Sequence, residues 1–212
     1  MRRRVLVSQR RDAVAGRNEV RDTLDVRLSA LLWELGFLPI FLASSINDHD
    51  AYLEALMPDA VVLSGGNDIG QAPDRDRLER VLLVHAAKHR LPVLGICRGM
   101  QMINQHQGGL LRAVSGHVAV HHRVSGPLIG PGGRDVNSYH NQCLFDADLG
   151  DDLEAVAWSD DGVVEALRHR EWPWLGIMWH PERDKPVIDA DKTLIRRHLE
   201  GLLLSLSEGA NQ

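Results

Sequence analysis

Cysteine is scarce in this chain: 212 residues carry two, Cys97 and Cys143. Two thiols cannot build a disulfide framework, so a reducing, cytoplasmic setting is expected. Long apolar runs are missing as well. None reaches the roughly 18 residues of a spanning helix, which argues against a membrane partner. The start, Met-Arg-Arg-Arg-Val-Leu-Val-Ser, has too few apolar residues before Ser8 for a signal peptide's core of about 7–15. Excess positive charge is also absent. The 24 Lys and Arg stand against 29 Asp and Glu, a net charge of −5, and nucleic acid is therefore not the expected partner. Five arginines among the first eleven residues read as a solvated end. No low-complexity linker, composition break or internal repeat divides the sequence, so residues 1–212 are read as one domain.

What is present is an alternation. Arg4–Ser8, Phe37–Leu42, Ala60–Ser64 and Val93–Ile96 are short apolar runs suited to buried strands. Between them lie helix-period segments: Leu24, Leu28, Leu31, Leu32 and Leu35 ended by Gly36, then Asp48 to Leu56, then Asp74 to His89. Nearly continuous apolar strands alternating with helices imply an α/β fold, a parallel sheet covered on both faces. The second half changes rhythm. His117–Ser125 alternates like a half-buried strand, and 127–134 reads as a Gly/Pro loop. Leu153–Trp158 and Val163–Leu167 flank a hairpin turn, Leu175–Trp179 is another buried strand, and a helix from Asp191 to Leu206 closes the chain. The expectation is a parallel core extended by antiparallel strands.

The densest chemical signal is Leu94-Gly95-Ile96-Cys97-Arg98-Gly99-Met100-Gln101. A buried strand runs through Gly-x-Cys-x-Gly straight into a helix, the arrangement of a nucleophile elbow with sulfur in place of hydroxyl. Glycines are needed because the sharp turn leaves no room for neighbouring side chains. The helix that starts beyond Cys97 offers free N–H groups and a positive dipole end, which favours thiolate. A plain buried cysteine ending a strand is the competing reading. A thiolate nucleophile needs a base and the base an orienting group. Trp179-His180-Pro181-Glu182 supplies both at the end of the last buried strand, with Glu182 reaching His180 if the backbone is extended there. Strand carboxyl ends of an open α/β sheet gather at one edge, so Cys97 and His180 can meet.

These two motifs, with Leu63-Ser64-Gly65-Gly66-Asn67-Asp68, Arg75-Asp76-x-x-Glu79, Val136-Asn137-Ser138-Tyr139-His140 and Asp161-Gly162-Val163-Val164-Glu165-Ala166, resemble the class I glutamine amidotransferase family. Within it the chain is similar to the free-standing γ-glutamyl hydrolases, including those acting on γ-glutamyl-γ-aminobutyrate. Ser8-Gln9-Arg10, Leu24-Asp25-Val26-Arg27, Arg98-Gly99-Met100-Gln101-Met102-Ile103 and Met178-Trp179-His180 look like the branch that hydrolyses γ-glutamyl-CDP-amidate in capsule phosphoramidate synthesis. The resemblance implies a flavodoxin-like sheet and a Cys97, His180, Glu182 triad. It also implies an oxyanion hole from the backbone N–H groups of Gly66 and Arg98, and γ-glutamyl contacts from Gln101 and from a loop of Asn137, Ser138, Tyr139 and His140. The substrate would be a small γ-glutamyl compound, with no cofactor. A homodimer remains open, and a partner synthase enters only if the chain is a glutaminase subunit. One departure concerns the leaving-group side. The stretch between Asp68 and Asp74 lacks the longer insertion of the γ-aminobutyrate branch.

Other features weigh less. His117, His121 and His122 suggest a metal, but adjacent residues on a strand point to opposite faces and no Cys or carboxylate joins them at a zinc spacing, so no metal is expected. Cys143 has neither base nor glycine elbow. Gly65-Gly66-Asn67-Asp68 lacks the following Lys of a phosphate loop. Trp172-Pro173-Trp174 reads as packing. Arg10, Arg27 and Arg98 could meet a phosphorylated leaving group, against a default of surface arginine. A non-catalytic binding protein and a cysteine-elbow α/β-hydrolase are the remaining alternatives; the latter would place its acid between the Cys and the His.

Overall fold

The computed structural model describes residues 1–202. Among these residues thirteen strands and five α-helices follow one another, with two short 3-10 turns. Strand β1 (Arg4–Val7) leads into a hairpin of β2 (Arg10–Ala13) and β3 (Val20–Thr23), then helix α1 (Val26–Glu34) and β4 (Leu38–Phe41). Helix α2 (His49–Leu56), β5 (Ala60–Leu63), α3 (Pro73–His89), β6 (Val93–Ile96) and α4 (Arg98–His106) complete the alternating half. The rest comprises β7 (Arg112–Ala113), β8 (Val118–Gly126), β9 (Gly130–Tyr139), β10 (Gln142–Cys143), β11 (Leu153–Ser159), β12 (Val164–His169), β13 (Trp174–Ile177) and α5 (Asp189–Leu199).

Nine strands share one sheet in the order β4-β1-β5-β6-β13-β12-β11-β8-β9. The first five run parallel, and the last four join antiparallel. Strands β5, β6 and β13 are adjacent and buried along their whole length, so both their faces are covered. Helices α4 and α5 pack onto β6. Buried Leu28, Leu31 and Leu32 give α1 its inner face, and the Asp25 carboxylate caps it by accepting from the Arg27 N–H. The adjacency of β5, β6 and β13 matters most, because the segments after all three come out at one edge.

Three sequence expectations change. The Gly/Pro stretch 127–134 is not a loop throughout: β9 begins at Gly130 and pairs with β8. A Cβ at Gly133 would lie 2.6 Å from the Val124 carbonyl oxygen, so glycine serves close strand pairing there as well as the turn. The β2–β3 hairpin has no apolar alternation to announce it. Its residues are polar and largely exposed, and Arg11 within it binds Asp74 (2.6 Å) and Ser44 (3.1 Å) instead of lying free in solvent. The closing helix starts at Asp189 and ends at Leu199; the part expected beyond 202 lies outside the described residues.

Candidate active site

Cys97 stands between β6 and α4 with φ 51° and ψ −103°, a conformation that L side chains rarely adopt. The turn is held by the Cys97 N–H donating to the Ile177 carbonyl (2.7 Å) and by the Cys97 carbonyl accepting from the Gln101 N–H (3.1 Å). The flanking glycines are there for space. A Cβ on Gly95 would lie 2.5 Å from the Gly99 carbonyl carbon, and one on Gly99 would overlap the Leu63 carbonyl oxygen. Gly176 on β13 likewise admits the Met100 side chain. Helix α4 therefore lies tight against three neighbouring strands, with Cys97 at its start.

His180 follows β13 and is 2% exposed. Asn137 grips its backbone from both sides, accepting from the His180 N–H (2.9 Å) and donating to its carbonyl (2.8 Å). Nδ1 of the imidazole sits 2.7 Å from Glu182 Oε1. The backbone between them is not extended as expected. Pro181–Arg183 forms a single 3-10 turn, which brings the carboxylate back to the Nδ1 edge of the ring. Burial alone would lower the His180 pKa. The neighbouring Cys97 and the hydrogen bond to Glu182 outweigh it and push the value up to about 9. The ring beside Cys97 is thus biased toward its protonated form.

Gly65 and Gly66 follow β5 beneath this pair. A Cβ on Gly65 would press on the imidazole at 2.7 Å, and Gly66 has φ +83°, so both positions call for glycine. Their carbonyls are turned away by Arg75, which donates to Ser64 O (2.5 Å), Gly65 O (3.1 Å) and Gly66 O (2.5 Å). Arg75 is held in turn by Glu79 (2.8 Å). Glu79 also accepts from Ser8 (2.7 Å) and pairs with Arg98, which pairs with Asp76 as well. Burial pushes the Glu79 carboxyl up, yet Arg75 and Arg98 together hold it below its ordinary range. Arg98 is therefore a buried strut and is not available to a leaving group. In the sequence, Arg75, Asp76 and Glu79 form a motif without an evident task. Charges at i, i+1 and i+4 within a helix that packs on a buried sheet were the available signal.

The residues expected to contact a glutamyl group sit as follows. Gln101 is buried and donates to the Gln142 carbonyl (3.0 Å). Asn137 brackets His180, and Ser138 is buried, donating to the His117 carbonyl (2.6 Å). His140 Nδ1 lies 3.0 Å from the Gln142 carbonyl. Asn137, Ser138 and Tyr139 belong to the end of β9 and not to a loop. Tyr139 alone of these is open to solvent, edge-on to His180 at 5.9 Å and beneath the Arg183 guanidinium at 4.3 Å. A cleft of about 270 Å³ opens beside His180, walled by Ser64, Gly65, Gly66, Arg10, Asp25 and Arg183. Arg27 is taken up by Asp25 (2.6 Å), and Arg10 pairs with Asp12 (2.8 Å) at the cleft wall. Cys143 is fully buried, and burial raises its thiol pKa. Trp172 and Trp174 pack against each other and His169. His121 is exposed, while His117, His122 and His140 converge on Glu165, a carboxylate that the local sequence spacing did not connect to them.

Comparison with known proteins gives the chain a family and a set of relatives. Residues 27–196 match the family model of class-I glutamine amidotransferases. The γ-glutamyl-CDP-amidate hydrolase of Campylobacter jejuni is 33% identical over 131 residues, 59% of this chain and 62% of that protein. Anthranilate synthase component 2 of Azospirillum brasilense is 35% identical over 136 residues, 60% of this chain and 67% of its own. The chain spans 62% to 66% of the length of the first curated relatives it matches. Among solved structures, a glutamine amidotransferase of Thermotoga maritima superposes with a TM-score of 0.64 at 17% identity, covering 98% of this chain and 97% of its own. A Thermoplasma acidophilum protein related to GMP synthase superposes with a TM-score of 0.72 at 22% identity, covering 95% of this chain and 94% of its own. By the extent of the family match, and with the fold and elbow that accompany it, this chain belongs to the class-I glutamine amidotransferase family.

Proposed function

We propose that the protein hydrolyses the γ-glutamyl C–N bond of a small γ-glutamyl amide or N-acyl phosphoramidate, with γ-glutamyl-CDP-amidate the favoured substrate. The observation that carries the reading is the Cys97 elbow facing a His180 that is locked onto Glu182 at 2.7 Å. Cys97 Sγ attacks the γ-carbonyl carbon, and the carbonyl electrons move to oxygen. Backbone N–H groups of Gly66 and Arg98 receive that oxyanion, kept in position by the Arg75–Glu79–Arg98 network. The tetrahedral species collapses as the C–N bond breaks and His180 gives its proton to the leaving nitrogen. A γ-glutamyl thioester remains on Cys97. Water then attacks it, His180 takes the water proton, and glutamate leaves as the thiolate returns. A pKa of about 9 suits His180 to the first transfer, because the proton is already in place at neutral pH. The resemblance to the Campylobacter hydrolase supports the phosphoramidate, and Arg10 and Arg183 on the cleft wall supply cations for a phosphate-bearing leaving group.

A second reading, a glutaminase subunit serving a synthase, is favoured by the likeness to anthranilate synthase component 2. A substrate panel separates the two. Purified protein is offered γ-glutamyl-CDP-amidate, γ-glutamyl-γ-aminobutyrate and glutamine, beside its Cys97→Ala variant. The proposal expects the highest kcat/KM on the phosphoramidate and a loss of about 10³-fold or more in the variant. Turnover of glutamine alone, rising when a synthase co-purifies, would favour the second reading.

A further inference from the structure

Outside the cleft, four side chains from distant parts of the chain meet in the interior. His117 precedes β8, His122 lies on β8, His140 follows β9 and Glu165 lies on β12. Glu165 is 0% exposed, His140 3% and His117 5%. Around Glu165 Oε1 stand His122 Nε2 at 3.3 Å, His140 Nε2 at 3.4 Å and His117 Nδ1 at 3.9 Å. Short as these separations are, none is an aligned hydrogen bond. Both Glu165 oxygens and all three nitrogens are buried without a hydrogen-bond partner. A buried carboxylate left in that condition is costly.

The outer contacts say which way the imidazoles are set. His117 Nε2 lies 2.9 Å from Asp161 Oδ2, and a carboxylate only accepts, so that nitrogen carries the hydrogen. His140 Nδ1 lies 3.0 Å from the Gln142 carbonyl and carries its hydrogen for the same reason. In the neutral rings, His117 Nδ1 and His140 Nε2 then turn lone pairs toward a carboxylate. Lone pairs and a carboxylate repel unless a cation lies among them. Carboxylate and carbonyl acceptors behind ligating imidazoles are also the usual outer shell of a metal site.

We propose that His117, His140 and Glu165, whose ligand atoms all lie within 4.8 Å of one another, bind a divalent transition-metal ion of the zinc class, with His122 beside them. Bonds of about 2.0–2.1 Å in a tetrahedron put ligand atoms roughly 3.4 Å apart, close to the spacing around Glu165 Oε1. The donors are imidazole and carboxylate, suited to zinc and its neighbours. All three ligands are buried and lie apart from the cleft, so the ion is structural. It ties the β8–β9 hairpin at the sheet's end to β12. Since β9 carries Asn137, which grips the His180 backbone, the ion also steadies the cleft from behind.

The test uses protein made without a histidine tag. Cys97→Ser removes the thiol beside the cleft, and His89→Ala breaks up the surface group of Glu54, His85 and His89. After chelator stripping and dialysis, the folded protein is titrated with zinc against a chromophoric competitor, and separately with cobalt. The expectation is a single equivalent bound, intense tetrahedral cobalt bands, and a higher Tm on loading. Asp161→Asn should weaken binding by about 10–100-fold through the outer shell, and Glu165→Gln should abolish it. Stripped, folded protein that takes up well under one equivalent, or shows only octahedral cobalt bands, would overturn the proposal and leave an imidazolium–carboxylate cluster. If Glu165→Gln fails to fold, the cobalt spectrum of the parent protein and the Asp161→Asn affinity decide. Metal uptake is read without any substrate, so its failure is distinct from failure of the hydrolase reading.

Discussion

At the scale of single residues, the site turns on how the His180 proton is held. Its pKa of about 9 lies above the ordinary 6.5, and the Glu182 hydrogen bond is one of the causes. Replacing the carboxylate with an amide, Glu182→Gln, removes the negative charge and keeps the shape. The His180 pKa should fall, so the alkaline limb of the pH–rate profile should move to lower pH, and kcat should drop by about 10²–10⁴-fold. A profile with its alkaline limb unmoved would mean that Glu182 does not set the imidazole. The same shift has a sign for stability. A raised histidine pKa stabilises the fold fully below about 6.5, and the contribution fades as pH climbs through about 9. The placing of Cys97 and His180 after buried strands, and of Glu182 against that imidazole, could be expected from the sequence because each lies in a short motif that ends an apolar run. The part played by Asn137 could not, since a side chain that grips a backbone 43 residues away leaves no local pattern. Glu165 was hidden for the same reason, lying on β12 far from the histidines it meets.

At the scale of elements, the sharp turn at Cys97 goes with the close approach of α4 to the sheet. That closeness depends on Gly95, Gly99 and Gly176, each of which faces another element where a Cβ would collide. Gly99→Ala should therefore destabilise the protein by about 1–3 kcal/mol or more, through a clash with backbone that cannot rotate aside. The denaturant midpoint measures this, and an unchanged midpoint would show that α4 can back away at little cost. Strands and helices of the first half were readable, with boundaries close to the expected ones, because periodicity there tracks burial on one or two faces. The β2–β3 hairpin was not, since its strands are polar and held by ion pairs such as Arg11 with Asp74. Nor was the start of β9, where glycines that look like a loop permit close strand pairing instead.

At the scale of the molecule, the sheet order brings the segments after β5, β6 and β13 side by side, although Gly66, Cys97 and His180 are far apart in sequence. The alternating pattern implied a parallel core with site residues at strand carboxyl ends, and that much could be read in advance. Which strands would be neighbours could not, since periodicity carries no information on strand order. The described helices include none long and apolar enough to cross a membrane. The proposed chemistry stands or falls on whether Cys97, placed by this topology, becomes acylated. Rapid quenching during turnover of a γ-glutamyl substrate, followed by intact-protein and peptide mass analysis, tests it directly. The expected result is a transient glutamyl group on Cys97, released by hydroxylamine and absent from Cys97→Ala. Steady hydrolysis with no adduct on Cys97, equally fast in that variant, would contradict the mechanism.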